Sequence, residues 1–336
     1  MNAKTNSRQT PSPRRRLVLQ GIGAVAALPF VGMREARAQD PATVRIVVPF
    51  PAGSPVEAHT RVFAEALKKT TGRTYVVDNK PGAGGMLAAA EIARSTPDGS
   101  VLLYITASHT SGAALYPKLN FDPIADLTPI SKMALGSGLG LLVRANSPYR
   151  TVQDLVKAAQ QKPGTIGYAS LGNGQTSHIL GEIFAREVKA QFVHVPYRTS
   201  PMPDLIGGHV DFTWLGTNVA LPLVKAGQVR VLAVSNRNRI AEAPDAPTFA
   251  ELGLKADVPA WTGMLGPRGM SAELADRIHR EIVQAAKQPD YLAYVKVSGN
   301  EIVTTSPKEF TAEYASEIER YRKVLPQLGI KMDDGT

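Results

Sequence analysis

The chain has 336 residues, 43% of them hydrophobic and 20% charged, with 0 Cys and a formal net charge of +9. That length suffices for two domains of ordinary size, while the missing cysteines exclude a disulfide framework, thiolate chemistry and a lipidated cysteine. The positive balance does not indicate a nucleic-acid binder. Seven basic residues and one acidic residue fall within 1–38, and taking them from 38 and 29 leaves 31 against 28, a net +3.

Residues 1–38 read as a targeting segment. Arg14, Arg15 and Arg16 form a positive n-region, 17–32 is an apolar run, and Ala36-Arg37-Ala38 supplies a small-x-small cleavage site. The arginines followed by Leu17 and Val18 also resemble a twin-arginine signal, and the general and twin-arginine routes both fit. The expectation is a cleaved export signal over 1–38, with Gln39 the first residue of a protein free in the periplasm. No later stretch is long and apolar enough to span a bilayer.

Val44, Ile46, Val47 and Val48 predict a buried parallel strand, ended by the Pro/Gly turn 49–55. Val62, Phe63, Ala66 and Leu67 share one face of the helix that follows. Ser54 suits its N-cap and Pro55 its first position, where a missing N–H costs nothing. A helix start beside a strand's carboxyl end directs unpaired N–H groups outward and attracts anions. An ordinary strand-to-helix connection has the same pattern.

A second strand over 74–77 leads through Gly82, Gly84 and Gly85 to a helix over 86–94. Those glycines lack dinucleotide spacing and follow the second strand, so they predict a tight turn close to a ligand rather than a phosphate cradle. A third strand over 101–105 opens onto the polar loop 106–112, on the edge where ligands sit in open parallel sheets. The strand 139–143 closes the first domain, and a helix capped by Thr151 opens the second. There the strand, turn and helix device recurs: strand 166–170 before the turn 171–178 and a helix burying Ile179, Ile183 and Val188, then strand 192–195 before 196–201 and a short helix. A strand over 211–214 ends in Leu215-Gly216-Thr217-Asn218, and another over 231–234 reaches the Pro-rich 243–247. Residues 261–265 return as a strand to the first domain. Ser271 caps an amphipathic helix carrying Leu274, Ile278, Ile282 and Val283, and helices over 289–297 and 307–325 close the chain. The expected organisation is α/β, with domain 1 over 39–143 and 262–336 and domain 2 inserted over 144–261.

Six stretches in order carry a family likeness: 48–53, 79–85, 172–178, 194–198, 204–211 and 243–248. Over nearly all of 44–330 the chain resembles the Bug-type extracytoplasmic solute receptors, the binding components of tripartite tricarboxylate transporters. The resemblance implies two Rossmann-like lobes in a type II-like periplasmic-binding-protein architecture with two crossover strands. It also implies a cleft that closes on a small carboxylate and delivers it to a membrane permease, with backbone amides and bridging water as the main contacts. Departures from the family pattern are Ser54, Val56 and Glu57 in the first loop, Met86, a shortened loop after Tyr197, and Leu215-Gly216. Val56 and Leu215 make the pocket less polar, which favours a ligand with an apolar or aromatic body.

The candidate contacts follow from the resemblance and from helix-end physics. Phe50, Ala52, Gly53 and Ser54 form the first loop, whose amides would hold a carboxylate. Glu57 either opposes an anion or, as a first-turn acid, stabilises its own helix against the dipole, and the structural role is favoured. Ser108 and His109 sit beyond the third strand. Ser170, Gly174, Gln175 and Thr176 bind from the opposite lobe or cap their helix. Arg198 pairs with a distal carboxylate or is a solvated surface residue, beside Thr199. Gly216 and Thr217 end the strand 211–214. His178 is read as a structural hydrogen-bonding residue, and Trp214 and Trp261 as cleft or core. The six histidines lack metal-ligand spacing, so neither a metal nor another cofactor is expected.

The reading is a monomeric periplasmic receptor with a small carboxylate and permease subunits as partners, and no nucleic acid. One alternative is a receptor feeding a sensor kinase. A hydrolase using Ser170 and His178 is disfavoured, because there is no Gly-x-Ser-x-Gly elbow and nothing orients a base.

Overall fold

The structure, a computed structural model, describes residues 41–330 apart from 117, 137, 198, 236–237, 241–242 and 256–259. The export segment and Arg198 lie outside the described residues. None of the described helices is long and apolar enough to cross a membrane.

Alternation and capping set the elements. In β1 (Thr43–Val48), Val44, Ile46 and Val48 pack into one hydrophobic cluster and Val47 into another, so the strand is buried on both faces. Helix α1 (Pro55–Thr71) starts where Ser54 Oγ accepts from Glu57 N at 3.2 Å. Then come β2 (Thr74–Asn79), α2 (Met86–Ile92) and β3 (Val101–Thr106). Gly82, Gly84 and Gly85 between β2 and α2 all have positive φ, as their tight turn requires. Two elements differ from the sequence reading. The polar loop over 106–112 is mostly helix, α3 (Ser108–Leu115), and a strand that was not foreseen, β4 (Leu127–Leu135), follows it.

The second lobe contains β5 (Leu139–Arg144), α4 (Val152–Gln161), β6 (Gly167–Ser170), α5 (Thr176–Glu187), β7 (Val193–Pro196), α6 (Met202–Gly207), β8 (Phe212–Gly216), α7 (Thr217–Lys225) and β9 (Val229–Val234). The chain returns through β10 (Trp261–Pro267), α8 (Ala272–Ala285), α9 (Pro289–Val297), β11 (Glu301–Ile302) and α10 (Pro307–Val324). Ser271 caps α8, and Ser306 with Glu309 forms a capping box on α10.

The first sheet has the order β2-β1-β3-β10-β4-β11, with β1 parallel to β2 and β3 and β10 antiparallel to β3 and β4. The second has the order β7-β6-β8-β5-β9, with β6 parallel to β7 and β8 and β5 antiparallel to β8 and β9. This corrects the expected boundary. Residues 139–143 belong to the second sheet, where Leu141 lies opposite Trp214 and Ala233. An apolar run records that a strand is buried, not which sheet it joins.

A second correction concerns the C-terminus, which does not belong to the first lobe alone. Phe310, Tyr314 and Ile318 of α10 pack with Trp261, Leu265 and Ile105 in the first lobe. Further along, Tyr321, Leu325 and Ile330 join the second-lobe cluster of Phe184, Phe212 and Trp214. The two crossover segments also touch: Gly136 N donates to Ala260 O at 2.7 Å, and Ser235 N to Leu139 O at 2.8 Å.

Candidate ligand-binding site

Between the lobes lies a cavity of about 230 Å³. The first lobe contributes Phe50 and Val56 from the β1–α1 turn and Thr106, Ala107 and Ser108 from the β3–α3 junction. Opposite them are Gln175, Thr176 and Ser177 at the start of α5 and Trp214, Leu215 and Gly216 at the end of β8. Gly136 and Ala260 bring both crossovers to its edge. No Lys, Arg, His, Asp or Glu occurs among its described lining residues.

Three helices begin here: α3 at Ser108, α5 at Thr176 and α7 after Gly216. The opening N–H groups of a helix have no carbonyl one turn earlier, and the dipole adds partial positive charge. The junctions are held by local bonds. Ala107 N donates to Trp261 O at 3.0 Å, Thr106 Oγ1 and Ser108 Oγ lie 2.8 Å apart, and Leu171 N donates to Ser177 Oγ at 3.0 Å. The arrangement suits an anion without needing a cationic side chain.

Of the residues expected from sequence, Phe50, Ser108, Gln175, Thr176 and Gly216 line this cavity. Ala52, Gly53 and Ser54 do not line it: they lie in the β1–α1 turn, where Gly53 N donates to Glu57 Oε2 and Ser54 N to Pro51 O, each at 3.2 Å. Glu57 itself is buried and also accepts from Arg61 Nε, which gives it the structural role favoured from sequence. His109 is enclosed in the first lobe. Its Nε2 lies 2.9 Å from the Tyr314 hydroxyl, which itself donates to Pro123 O, so the ring proton is on Nε2. Ser170 is fully buried beneath the second-lobe turn, 2.6 Å from His194 Nε2. Thr199 is exposed and Thr217 buried, and neither lines the cavity.

Gly174 ties the two lobes together. Its carbonyl accepts from Ser111 Oγ of α3 at 3.1 Å, and its N–H donates to His178 Nδ1 at 3.0 Å. That bond requires a bare Nδ1 and therefore a neutral His178, whose ring stacks on His194 at 3.8 Å and 3°. Burial pushes both imidazoles down to about 4, and His178 is further opposed by His194. His178 is thus the structural hydrogen-bonding residue foreseen.

Both tryptophans are at once core and wall. Trp214 packs on Phe184, Phe212 and Phe249, and Trp261 on Phe310. Trp261 Nε1 donates to Glu317 Oε2 at 3.0 Å, and Glu317 Oε1 accepts from Thr110 Oγ1 at 2.6 Å. Burial raises the Glu317 carboxyl above the usual carboxylate range. Sequence reasoning missed Ala134, Thr262 and Asn300 in the lining. They sit at strand ends outside any motif, and the unread β4 hid the reason they converge.

Two α/β lobes, paired crossovers and an interlobe cavity at helix starts define a two-lobed solute-binding protein. Residues 59–330 match the family described as the tripartite tricarboxylate transporter family receptor, TctC, and the chain belongs to that family. It is 30% identical over 315 residues to the UPF0065 protein in the tcbD-tcbE intergenic region of Pseudomonas sp. (strain P51), covering 93% of this chain and 94% of the relative. Among solved structures it is similar to the periplasmic binding protein BugD, at 27% identity and TM-score 0.77 over 87% of this chain and 99% of that one. MatC from Rhodopseudomonas palustris with bound malate gives 27% and 0.75 over 84% and 98%. An R. palustris protein with adipate gives 28% and 0.77 over 86% and 98%. The family is one of receptors, not enzymes, and the hydrolase reading falls away.

Proposed function

We infer that this receptor captures a small carboxylate in the interlobe cavity and delivers it to the permease of a tripartite tricarboxylate-type transporter. The observation that carries the reading is the convergence of three helix starts on a cavity without an ionisable side chain among its described lining residues. Phe50, Ser108, Gln175, Thr176 and Gly216 are the contacts proposed, with the amides of α3 and α5 taking the charge. In this reading residues 1–38 direct export and are removed, the protein acts as a periplasmic monomer, and the chain from β5 to 260 is an insertion in the first domain. Malate and adipate in related structures fit a carboxylate ligand.

The test is a thermal-shift screen of the mature protein against dicarboxylates, keto acids and aromatic acids. A ligand that binds only the native state at 100 times its Kd adds about 2.7 kcal/mol of stability. A broad screen without any upward shift in Tm would refute the receptor reading. Mass spectrometry of the periplasmic fraction checks the cleavage after Ala38.

A further inference from the structure

We propose that the ligand is a monocarboxylate on an apolar body, and that Glu57 keeps a second carboxylate away from the α1 side of the cavity. This rests on the receptor reading of the interlobe cavity.

The β1–α1 turn is the place where helix-end physics locates an anion, yet an internal carboxylate already occupies it. Gly53 N donates to Glu57 Oε2 at 3.2 Å, and Ser54 N to Pro51 O at 3.2 Å. Pro55 has no N–H, while Glu57 N donates to Ser54 Oγ at 3.2 Å and Ala58 N to Ser54 O at 3.0 Å. The donors of residues 53, 54, 57 and 58 are therefore engaged within the turn. Glu57 is 4% exposed, with Arg61 pairing it from the solvent side. A second ligand carboxylate brought here would meet the Glu57 carboxylate, a like charge, at a helix start whose N–H groups at 53, 54, 57 and 58 are already engaged.

What this turn offers the cavity instead is apolar, Phe50 and Val56. Leu139, Leu171 and Leu215 line the same space, with the buried Trp214 and Trp261 behind them. Charge can be held at the α3 and α5 starts, and the body of the ligand lies on the apolar side.

Isothermal titration of the mature protein with benzoate, cyclohexanecarboxylate, malate and adipate tests this. One of the monocarboxylates should bind at least about tenfold tighter than either dicarboxylate, the factor expected from one charge-assisted contact. Glu57→Gln, checked for folding by circular dichroism, should narrow that ratio by roughly the same factor. Should it fail to fold, the wild-type ranking decides alone, and Val56→Thr gives a second variant expected to favour the dicarboxylates. Tighter binding of malate or adipate by the wild type overturns the inference and leaves the receptor reading intact. If neither class binds and the broader carboxylate screen is also silent, the receptor reading falls and this inference falls with it.

Discussion

Replacing Glu317 with Ala should destabilise the protein through one indole. The Glu317 carboxylate accepts from Thr110 Oγ1 at 2.6 Å and Trp261 Nε1 at 3.0 Å. Thr110 has only one hydroxyl proton and a second acceptor in range, Ala107 O at 2.7 Å, so it loses little when Glu317 is removed. Trp261 is 4% exposed, and its N–H is left without an acceptor. A hydrogen bond to a charged group contributes about 1.5–3 kcal/mol, part of which the carboxylate's own desolvation offsets. The expected loss for Glu317→Ala is therefore about 2 kcal/mol, or roughly 3–4 °C in Tm for a protein of this size. Glu317→Gln keeps an oxygen for the indole and sheds the desolvation cost, so it should lose no more than about 1 kcal/mol. Circular-dichroism melts at pH 7 measure both, and Trp261→Phe combined with Glu317→Ala should be clearly non-additive. A melting point for Glu317→Ala within about 1 °C of wild type, or additive losses in the double variant, would refute the reasoning.

Stability should also fall on acidification. Burial holds His59 and His109 down at about 4, while an unfolded imidazole titrates near ~6.5. The unfolded chain binds more protons between those values, so the stabilisation is complete above about pH 6.5 and is lost as the pH drops toward 4. Each of these two buried rings accounts for on the order of 3 kcal/mol at the acid end, and His178 and His194 act in the same direction. Glu317, raised by burial, has the opposite sign. Urea midpoints that stay flat from pH 7 to 5 would contradict this. Gly181→Ala should cost roughly 2–3 kcal/mol, because a Cβ there would lie 2.3 Å from the buried Tyr168 ring, and a chemical melt unchanged from wild type would show that the ring can yield.

Local physics made most of the fold legible. The apolar run at Val44, Ile46, Val47 and Val48, the Ser54-Pro55 start and the Thr151 and Ser271 caps all act within a few residues, and sequence displays such signals directly. What stayed hidden depends on distant partners. Ser108, His109, Thr110 and Ser111 look like a solvated loop, yet they are buried in a helix. His109 pairs with Tyr314, Thr110 with Glu317 and Ser111 with Gly174. Strand β4 was obscured by Pro129 and by Lys132, whose charge is paired with Glu313. At the site, the first-turn role of Glu57 was readable from the dipole. That its carboxylate would reach back to Gly53 was not, because the sequence does not show a side chain's direction.

The split allegiance of α10 has a mechanical consequence. One end of the helix is seated among Trp261, Leu265 and Ile105, and the other beside Phe184 and Phe212. When the two halves swing apart, a single rigid rod cannot follow both. Any such movement has to bend or unseat the helix between Ile318, seated in the first lobe, and Tyr321, seated in the second. Stiffening or loosening that stretch would change how far the jaws travel without altering any group that faces the cargo.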